Sequence, residues 1–567
     1  MFNFKALLNE LKKHKKELIL ANIIAFFAVV VSTPAPLLIP LLVDEVLLGS
    51  TGRLVNTIDS IFGGQNPAYF YIGIVLFLTI FLRAIFFTLG VWQNYIFTKI
   101  SQSIVFNMRK DLLGHLKNLD LGEYQRFSSA KISSLMVVDL ATIETFLSTS
   151  ISRLIISILT VIGVSIVLLL IEWRLALLIL FLNPFILFFT TKMGRKVGQL
   201  KRKENSLISV FSESLSETLD FYEQVKASNK SEHFIKKLIG KADEVKEIST
   251  SFRYKSDASA KFSFLLFLSG FEIFRAAGIF MVFYEDLTIG LMLAVFGYLW
   301  VIMTPIQEII NIQYSYFNAK AALKRVNELF LLKVEPEVVV KLYEFKGAIE
   351  VKNLKFSYAE KEILKGIDLR VESGSKVAIV GGSGSGKTTL VKILAGFFAE
   401  SSGEIYYDGV NTQDIGLKQI RENSFLVLQS PQLFNNTLRY NLTYGEEIDE
   451  DTILKAIDIA ELGDFIDSHE KGLDTMLGRE GVSLSGGERQ RVSIARMIVK
   501  NPKIIFLDES TSALDTVTES KLFAKLQTYL QDKTVVMIAH RINTIKSADF
   551  IYALEDGVLN LKSIEDL

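Results

Sequence analysis

Long apolar runs dominate the first part of the chain and end near residue 315. Most of them reach the roughly 20 apolar residues that a helix needs to cross a bilayer. So many runs in one half of the chain indicate a membrane domain rather than the buried helices of a large soluble protein. The six predicted spans are Leu18–Leu48, Ala68–Trp92, Ile151–Ile171, Leu175–Thr191, Phe262–Tyr284 and Thr288–Ile312.

The segments between the spans differ in length and charge. Those after the first, third and fifth spans are short, whereas those after the second and fourth are long and basic. Basic loops remain in the cytoplasm, and the long loops have helical patterns, so we expect several spans to continue beyond the bilayer. This predicts an integral protein of a bacterial inner (plasma) membrane, with its N-terminus and C-terminal domain in the cytoplasm.

The chain beyond residue 330 has the alternation of short apolar runs, turns and helical segments that is typical of a soluble α/β domain. The polar segment Val334–Lys346, which carries Pro336, is predicted to be a linker. We therefore predict a multi-domain chain: an all-α six-helix transmembrane domain over residues 1–330, a linker over 331–346, and an α/β domain over 347–567.

Composition narrows the possible functions. The formal net charge is +0, which gives no reason to expect a nucleic-acid partner. No cysteine is present, so a disulfide framework, a thiolate metal site and a cysteine nucleophile are all excluded. The high hydrophobic fraction, 50%, agrees with the membrane spans.

A glycine-rich segment in the α/β domain, Gly381–Thr388, has the P-loop pattern of Gly, four residues and Gly-Lys-Thr. It follows the apolar run Val377–Val380 and precedes the helical segment Thr389–Leu394, which is the context that the motif requires. Its backbone N–H groups are expected to cradle phosphates, while Lys387 reaches the terminal phosphates and Thr388 holds Mg²⁺.

Two further motifs follow the P-loop. An apolar run ends in Asp508 and Glu509, where the first carboxylate suits Mg²⁺ and the second suits a general base for the attacking water. The segment Leu484–Glu488 places Ser485 and two glycines at a predicted helix start, where backbone N–H groups favour a phosphate. A capped helix N-terminus without any ligand is the alternative interpretation of that segment.

With these three motifs in order behind six spans, the chain resembles an ATP-binding cassette half-transporter of the exporter type over essentially its whole length. The resemblance implies that Tyr358 stacks on adenine and that Gln429 is the Q-loop glutamine, which contacts Mg²⁺. It also implies that Ser512–Asp515 is the D-loop and that His540 is the switch histidine, which contacts the terminal phosphate. The implied ATP-binding residues are Tyr358, Gly381, Ser383, Gly384, Gly386, Lys387, Thr388, Thr389, Gln429, Ser485, Gly486, Gly487 and Asp515, and the implied Mg²⁺ ligands are Thr388, Gln429 and Asp508.

The chain departs from the pattern of many relatives in two places. The segment Leu484–Glu488, which resembles the signature sequence of the family, ends in Glu488 where many relatives have Gln, and Gly478–Gly481 carries Arg and Glu in exchanged order. The second departure affects a segment that is expected to contact the membrane domain. The resemblance also implies that Leu119–Ala141 and Glu213–Ser228 contain coupling helices.

In this family two cassettes close head to tail, so the resemblance implies a partner chain. A homodimer is the simplest expectation because every hydrolytic residue is present, although a heterodimer remains open. The expected function is ATP-driven export or lipid flipping by alternating access. An ATP-gated channel or regulatory subunit on the same scaffold is the alternative, and retention of both Glu509 and His540 argues against it.

Two arginines inside predicted spans bear on the substrate. Arg83 and Arg275 lie at membrane depth, where charges usually face a cavity or a partner. They predict a translocation cavity for an amphipathic or hydrophobic molecule with an anionic group. The alternative is structural, because Glu272 precedes Arg275 by one helical turn and can pair with it.

Overall fold

The computed structural model describes residues 4–49, 52–63, 66–127, 129–284, 287–336, 338, 345–358, 361–478, 481–539 and 545–563. Its residues form two compact units. One combines Met1–Leu112 with Ala130–Phe330, and the other combines Leu113–Ser129 with Leu331–Leu567. The first is called the membrane unit and the second the cassette unit below.

The membrane unit is helical throughout its described part. Five helical segments there are long and apolar enough to cross a membrane: Lys15–Leu47, Ala68–Lys117, Lys131–Ile171, Ser231–Phe283 and Ile289–Ile309. The predicted fourth span lies in the helix Trp173–Asp220, and most of its side chains, residues 179–188, lie outside the described part of the chain. The α-helices of this unit are Phe4–Lys13, Lys15–Ser32, Leu38–Pro40, Arg53–Phe62, Ala68–Lys117, Ser129–Ser134, Leu140–Thr145, Ile151–Ile171, Trp173–Asp220, Tyr222–Ala227, Ser231–Phe283 and Ile289–Phe330.

Four of these helices are much longer than a bilayer is thick. Ala68–Lys117, Trp173–Asp220, Ser231–Phe283 and Ile289–Phe330 have 50, 48, 53 and 42 residues. At about 1.5 Å per residue they measure roughly 63 to 80 Å, whereas the hydrocarbon core is about 30 Å thick. About half of each helix therefore extends beyond the membrane.

Irregular helical turns interrupt the two membrane-crossing segments Lys15–Leu47 and Lys131–Ile171. A 3₁₀ turn at Ala35–Leu37 and π-helical turns at Leu41–Leu47, Leu135–Asp139 and Phe146–Ser150 carry the chain between regular helices. The 3₁₀ turn lies among closely spaced prolines, whose rings block regular helical hydrogen bonding. The Tyr298 hydroxyl group, fully buried, donates a hydrogen bond of 2.6 Å to the carbonyl oxygen of Thr33 just before that turn.

The cassette unit contains two sheets. A four-stranded antiparallel sheet has the order β2-β1-β4-β5, and a six-stranded sheet has the order β10-β9-β3-β8-β7-β6, parallel except for β9 with β10. The strands are β1 Ile349–Tyr358, β2 Lys361–Val371, β3 Lys376–Val380, β4 Ser402–Tyr407, β5 Val410–Asn411, β6 Ser424–Val427, β7 Ile504–Asp508, β8 Thr534–Ile538, β9 Phe550–Glu555 and β10 Val558–Lys562.

Three helices of the cassette unit, Lys387–Leu394, Leu417–Asn423 and Gly486–Lys500, contact strands of the six-stranded sheet. The α-helices of the unit are Leu121–Phe127, Lys387–Leu394, Thr412–Ile415, Leu417–Asn423, Leu438–Thr443, Glu450–Ile459, Gly463–Asp467, Gly486–Lys500 and Thr516–Tyr529, with a 3₁₀ turn at Gly472–Asp474. The central strands are buried on both faces, as parallel strands usually are. Because β3, β6, β7 and β8 are parallel, their carboxyl ends meet at one edge, where ligands of open α/β sheets bind.

The start of the interdomain linker is held inside the cassette unit. The Asp120 N–H group donates to the carbonyl oxygen of Lys333 (3.0 Å), and the Glu335 N–H group donates to that of Asn118 (2.8 Å). The linker thus lies beside the segment that leads into the short helix Leu121–Phe127. Residues 337 and 339–344 of the predicted linker lie outside the described residues.

Candidate functional site

The P-loop follows β3 directly and requires glycine at two positions. Gly381 and Gly386 have φ values of 149° and 107°, which favour glycine. A Cβ atom at Gly381 would lie 2.3 Å from the carbonyl oxygen of Leu554, and one at Gly386 would lie 3.0 Å from the Ile363 side chain. A Cβ atom at Gly384 would meet nothing within 4 Å, so the loop backbone there is open to a ligand.

Polar groups of the loop fit a phosphate chain. The buried Lys387 ammonium group donates to the carbonyl oxygens of Gly381 and Gly382, both at 2.9 Å, and so folds over the loop. Ser385 Oγ is buried and has no hydrogen-bond partner among the described residues. A buried hydroxyl group without a partner is costly, and a phosphate oxygen would satisfy it. Ser385 is not among the residues predicted from the sequence.

A hydroxyl–carboxylate pair lies between the P-loop helix and β7. Thr388 Oγ1 donates to Asp508 Oδ1 at 3.3 Å. Burial raises the pKa of Asp508, and the hydrogen bond from Thr388 partly opposes this shift. A divalent cation would favour the charged carboxylate, and Mg²⁺ commonly binds through one or two protein ligands plus phosphate oxygens. Ser383, in the loop before the helix Lys387–Leu394, is exposed, and Thr389, in the first turn of that helix, is partly buried.

The end of β7 meets the loop after β6. Gln429 Nε2 donates to Glu509 Oε2 at 2.6 Å, so the predicted base and the predicted Q-loop glutamine are in contact. Glu509 adopts the left-handed conformation with φ of 48°, which is uncommon for a residue other than glycine.

Tyr358 ends β1 in an aromatic cluster with Phe356 and Phe398. The ring of Tyr358 is perpendicular to both, with centroid distances of 5.0 Å and 5.8 Å. Tyr358 is 40% exposed, so part of its surface is open to a ligand. Leu121, at the start of the short helix Leu121–Phe127, packs against the same core, which brings a predicted coupling helix close to the predicted adenine site.

Ser485 caps the helix Gly486–Lys500, called the signature helix below. Its hydroxyl group accepts from the Glu488 N–H group (3.2 Å), and its own N–H group donates to the Glu488 carboxylate (2.7 Å), which completes a capping box. Glu488, a departure from many relatives, therefore stabilises the helix start. A Cβ atom at Gly487 would lie 3.1 Å from the carbonyl oxygen of Ala513, so glycine allows the D-loop to pack closely there. Gly486 approaches the Ala513 side chain in the same way.

Other predicted residues have different placements. Asp515 caps the helix Thr516–Tyr529, and its carboxylate accepts from the N–H groups of Val517 and Thr518; the Thr518 backbone hydrogen bond is the main cause that lowers its pKa. The predicted switch histidine, His540, lies outside the described residues, as do Arg479 and Glu480. In the described part of the chain, no hydrogen bond joins Ser485 to the P-loop.

One glutamine that the sequence reasoning missed connects these motifs. Gln490, on the signature helix, is buried and makes hydrogen bonds to groups of Gln429, Glu509, Ser512 and Ala513. Its position five residues after Ser485 gave no signal by itself, because only the fold brings these segments together.

The membrane unit encloses a cavity of about 940 Å³. Arg83, Arg153 and Glu308 line it among mainly apolar side chains, and Arg153 donates to Glu308 at 3.0 Å. Arg275 pairs with Glu272 at 2.5 Å and is not among the described residues that line this cavity. Only one of the two predicted arginines therefore lies in this cavity.

Comparison with known proteins identifies the family of this chain. The family described as "ABC transporter transmembrane region" matches residues 21–306, which is half of the chain, and the family described as "ABC transporter" matches residues 364–512. The chain belongs to the ABC transporter family. It is an ATP-driven exporter of the half-transporter type, an integral membrane protein with a fused ATP-binding cassette, and this confirms the prediction from the sequence.

Relatives of this transporter include two proteins named as ATP-dependent lipid A-core flippases. An ATP-dependent lipid A-core flippase of Photobacterium profundum is 29% identical over 94% of this chain and 90% of its own length. Another of Legionella pneumophila is 30% identical over 88% and 84%. A bacterial Atm1-family ABC exporter solved with ATP bound has a TM-score of 0.79 at 24% identity, covering 97% of this chain and 96% of that one. The last likeness concerns the fold.

Proposed function

We propose that two copies of this chain form the working transporter, with each ATP bound between the P-loop of one copy and the signature of the other. The observation that carries this proposal is that Ser485 begins its helix without a hydrogen bond to the P-loop within the described part of its own chain. One chain supplies one P-loop and one signature, so a second copy completes both sites.

Within each site, different residues bind the adenine, the phosphates and Mg²⁺ and activate the attacking water. Tyr358 stacks on adenine, and the backbone of Gly381–Gly386 with Lys387 binds the phosphates. Thr388, Asp508 and Gln429 hold Mg²⁺, directly or through water; bound Mg²⁺ neutralises phosphate charge. Glu509 orients the attacking water and accepts its proton. We also assign the switch role to His540.

The cavity indicates the class of substrate. Its lining is mainly apolar, and Glu308 neutralises Arg153, while Arg83 has no ion pair among the described residues. A cation in an apolar cavity favours an amphipathic molecule with an anionic group. The relatives named as lipid A-core flippases support a lipid of this class. We propose that the transporter flips or exports such a lipid.

The orientation follows from the basic loops. We propose that the protein lies in a bacterial inner membrane with the N-terminus and the cassette in the cytoplasm, because the basic segments after the second and fourth spans remain on that side. We propose domain boundaries of 1–330 and 347–567, joined by a linker over 331–346. Both copies then hydrolyse ATP on the same face.

An ATPase screen in lipid nanodiscs tests this proposal. Anionic amphiphiles should stimulate the wild-type protein, and Arg83→Gln should lose that stimulation, whereas Arg275→Gln should keep it. Glu509→Gln should remove hydrolysis with or without lipid. Stimulation that survives in Arg83→Gln would contradict the substrate assignment, and hydrolysis that survives in Glu509→Gln would contradict the assignment of the base.

A further inference from the structure

The signature helix carries a buried polar side chain that touches three motifs at once. Gln490 is 1% exposed. Its Nε2 group donates to the carbonyl oxygen of Gln429 (3.0 Å), to Ser512 Oγ (3.2 Å) and to the carbonyl oxygen of Glu509 (3.4 Å). Its Oε1 atom accepts from the Ala513 N–H group (3.1 Å). These five residues are called the Gln490 network below.

The orientation of the Gln490 amide follows from its partners. The Ala513 N–H group can only donate, and the carbonyl oxygens of Gln429 and Glu509 can only accept. One orientation alone satisfies all of them, so the oxygen faces the D-loop and the nitrogen faces the other motifs. Two N–H protons serve three acceptors, which means that one proton is shared.

The network holds the proposed base from its backbone side. The backbone of Glu509 has the left-handed conformation, which a residue other than glycine keeps only when the surrounding structure stabilises it. Gln490 binds the Glu509 carbonyl oxygen, and it also binds the carbonyl oxygen of Gln429, whose side chain donates to the Glu509 carboxylate. The Gln490 amide thus contacts Glu509 directly and also stabilises it indirectly, through Gln429.

We infer that Gln490 is a positioning residue for ATP hydrolysis. It fixes Glu509 and Gln429 relative to the D-loop, and it does so from the helix whose first turn is the signature. It does not touch the P-loop in the described residues. This inference rests on the proposed function, in which Glu509 is the base, and it concerns the rate of hydrolysis rather than the binding of ATP.

Two variants separate positioning from stability. Gln490→Met keeps the length of the side chain and removes every hydrogen bond, whereas Gln490→Glu keeps the acceptor for the Ala513 N–H group and removes the donors. Both should lower kcat of the full-length protein in nanodiscs by about 10- to 100-fold, because a displaced base loses its alignment. The KM for ATP should stay within about twofold, since Tyr358 and Lys387 keep their surroundings.

Val492→Ala is the matched control. Val492 is fully buried on the same helix but faces the apolar core, so its truncation should lower Tm while kcat stays within about twofold of wild type. Three results would overturn the inference: a near-normal kcat in both Gln490 variants, a KM that rises along with any loss of kcat, or an equal loss of kcat in Val492→Ala. If neither Gln490 variant folds, the residue is structural and the inference is rejected.

The proposed function fails by a different result. A wild-type protein without ATPase activity, or Glu509→Gln with normal activity, would contradict the assignment of the base. A Gln490 variant with normal kcat, measured beside an inactive Glu509→Gln, would reject only the role of Gln490.

Discussion

The contact between the linker and the cassette gives a prediction whose size follows from the structure. Arg421 donates to both oxygens of the Glu335 carboxylate, at 3.0 Å and 2.6 Å, and to the carbonyl oxygen of Gly396 at 2.6 Å. The two side chains are 31% and 19% exposed. Arg421→Met removes all three hydrogen bonds and leaves the Glu335 carboxylate without its cation.

The cost of this change lies between two limits. Breaking a fully buried ion pair costs about 3–5 kcal/mol, and breaking a fully exposed one costs about 0–1 kcal/mol. The bidentate pair of Arg421 and Glu335 is mostly shielded from water, so its cost lies between these limits. We expect Arg421→Met to lower the free energy of local opening of the linker by about 2 kcal/mol. That free energy corresponds to roughly a 30-fold larger open population, since about 1.4 kcal/mol is a factor of ten.

Hydrogen exchange measures this opening directly. The amide protons of Asp120 and Glu335 are held by the linker contacts, so in Arg421→Met they should exchange about 30-fold faster. Arg370→Met is the control, because its pair with Glu372 is 74% and 58% exposed and should contribute nothing measurable. Unchanged protection of both amides in Arg421→Met would show that the Arg421–Glu335 pair does not hold the linker in place.

Three further substitutions test other parts of the molecule. Tyr358→Ala should raise the KM for ATP about tenfold with kcat nearly unchanged, because only a stacking face worth about 1–3 kcal/mol is lost; steady-state ATPase kinetics with an unchanged KM would count against the adenine site. Gly386→Ala should abolish ATP binding in a nucleotide-binding assay, since the left-handed φ and the Ile363 side chain 3.0 Å from the new Cβ atom both resist it. Asp139→Asn should lower the stability of the membrane unit by about 1–2 kcal/mol in thermal unfolding, because Arg325 loses its carboxylate partner; an unchanged Tm would show that solvent screens this pair.

The local sequence pattern was enough to predict the strands and the helix that carry the P-loop and Asp508. The strand before the P-loop and the helix after it are read from an apolar run and a glycine-rich turn, and both are present as Lys376–Val380 and Lys387–Leu394. The same holds for β7, whose four apolar residues end in Asp508. The family comparisons also confirm the cassette and the membrane region.

What could not be predicted depends on contacts between distant segments. Gln490 contacts Gln429, which is 61 positions away in the sequence, and Arg421 contacts Glu335, which is 86 positions away. The periodicity of hydrophobic residues does not predict contacts between such distant positions. The burial of Ser385 Oγ, which has no hydrogen-bond partner among the described residues, arises only when the loop folds. The predicted stretch Leu119–Ala141 is divided between the two units: the short helix Leu121–Phe127 belongs to the cassette unit, and the residues from Ala130 onward belong to the membrane unit.

We propose that ATP hydrolysis at Glu509 moves an anionic amphipathic lipid across the membrane. The most direct test is a flipping assay in sealed liposomes that contain the purified transporter and a fluorescent anionic lipid, with wild type and Glu509→Gln compared side by side. We predict lipid movement by the wild-type protein that requires ATP and Mg²⁺, and none by Glu509→Gln. Movement that is independent of ATP, or equal in the two proteins, would contradict the account.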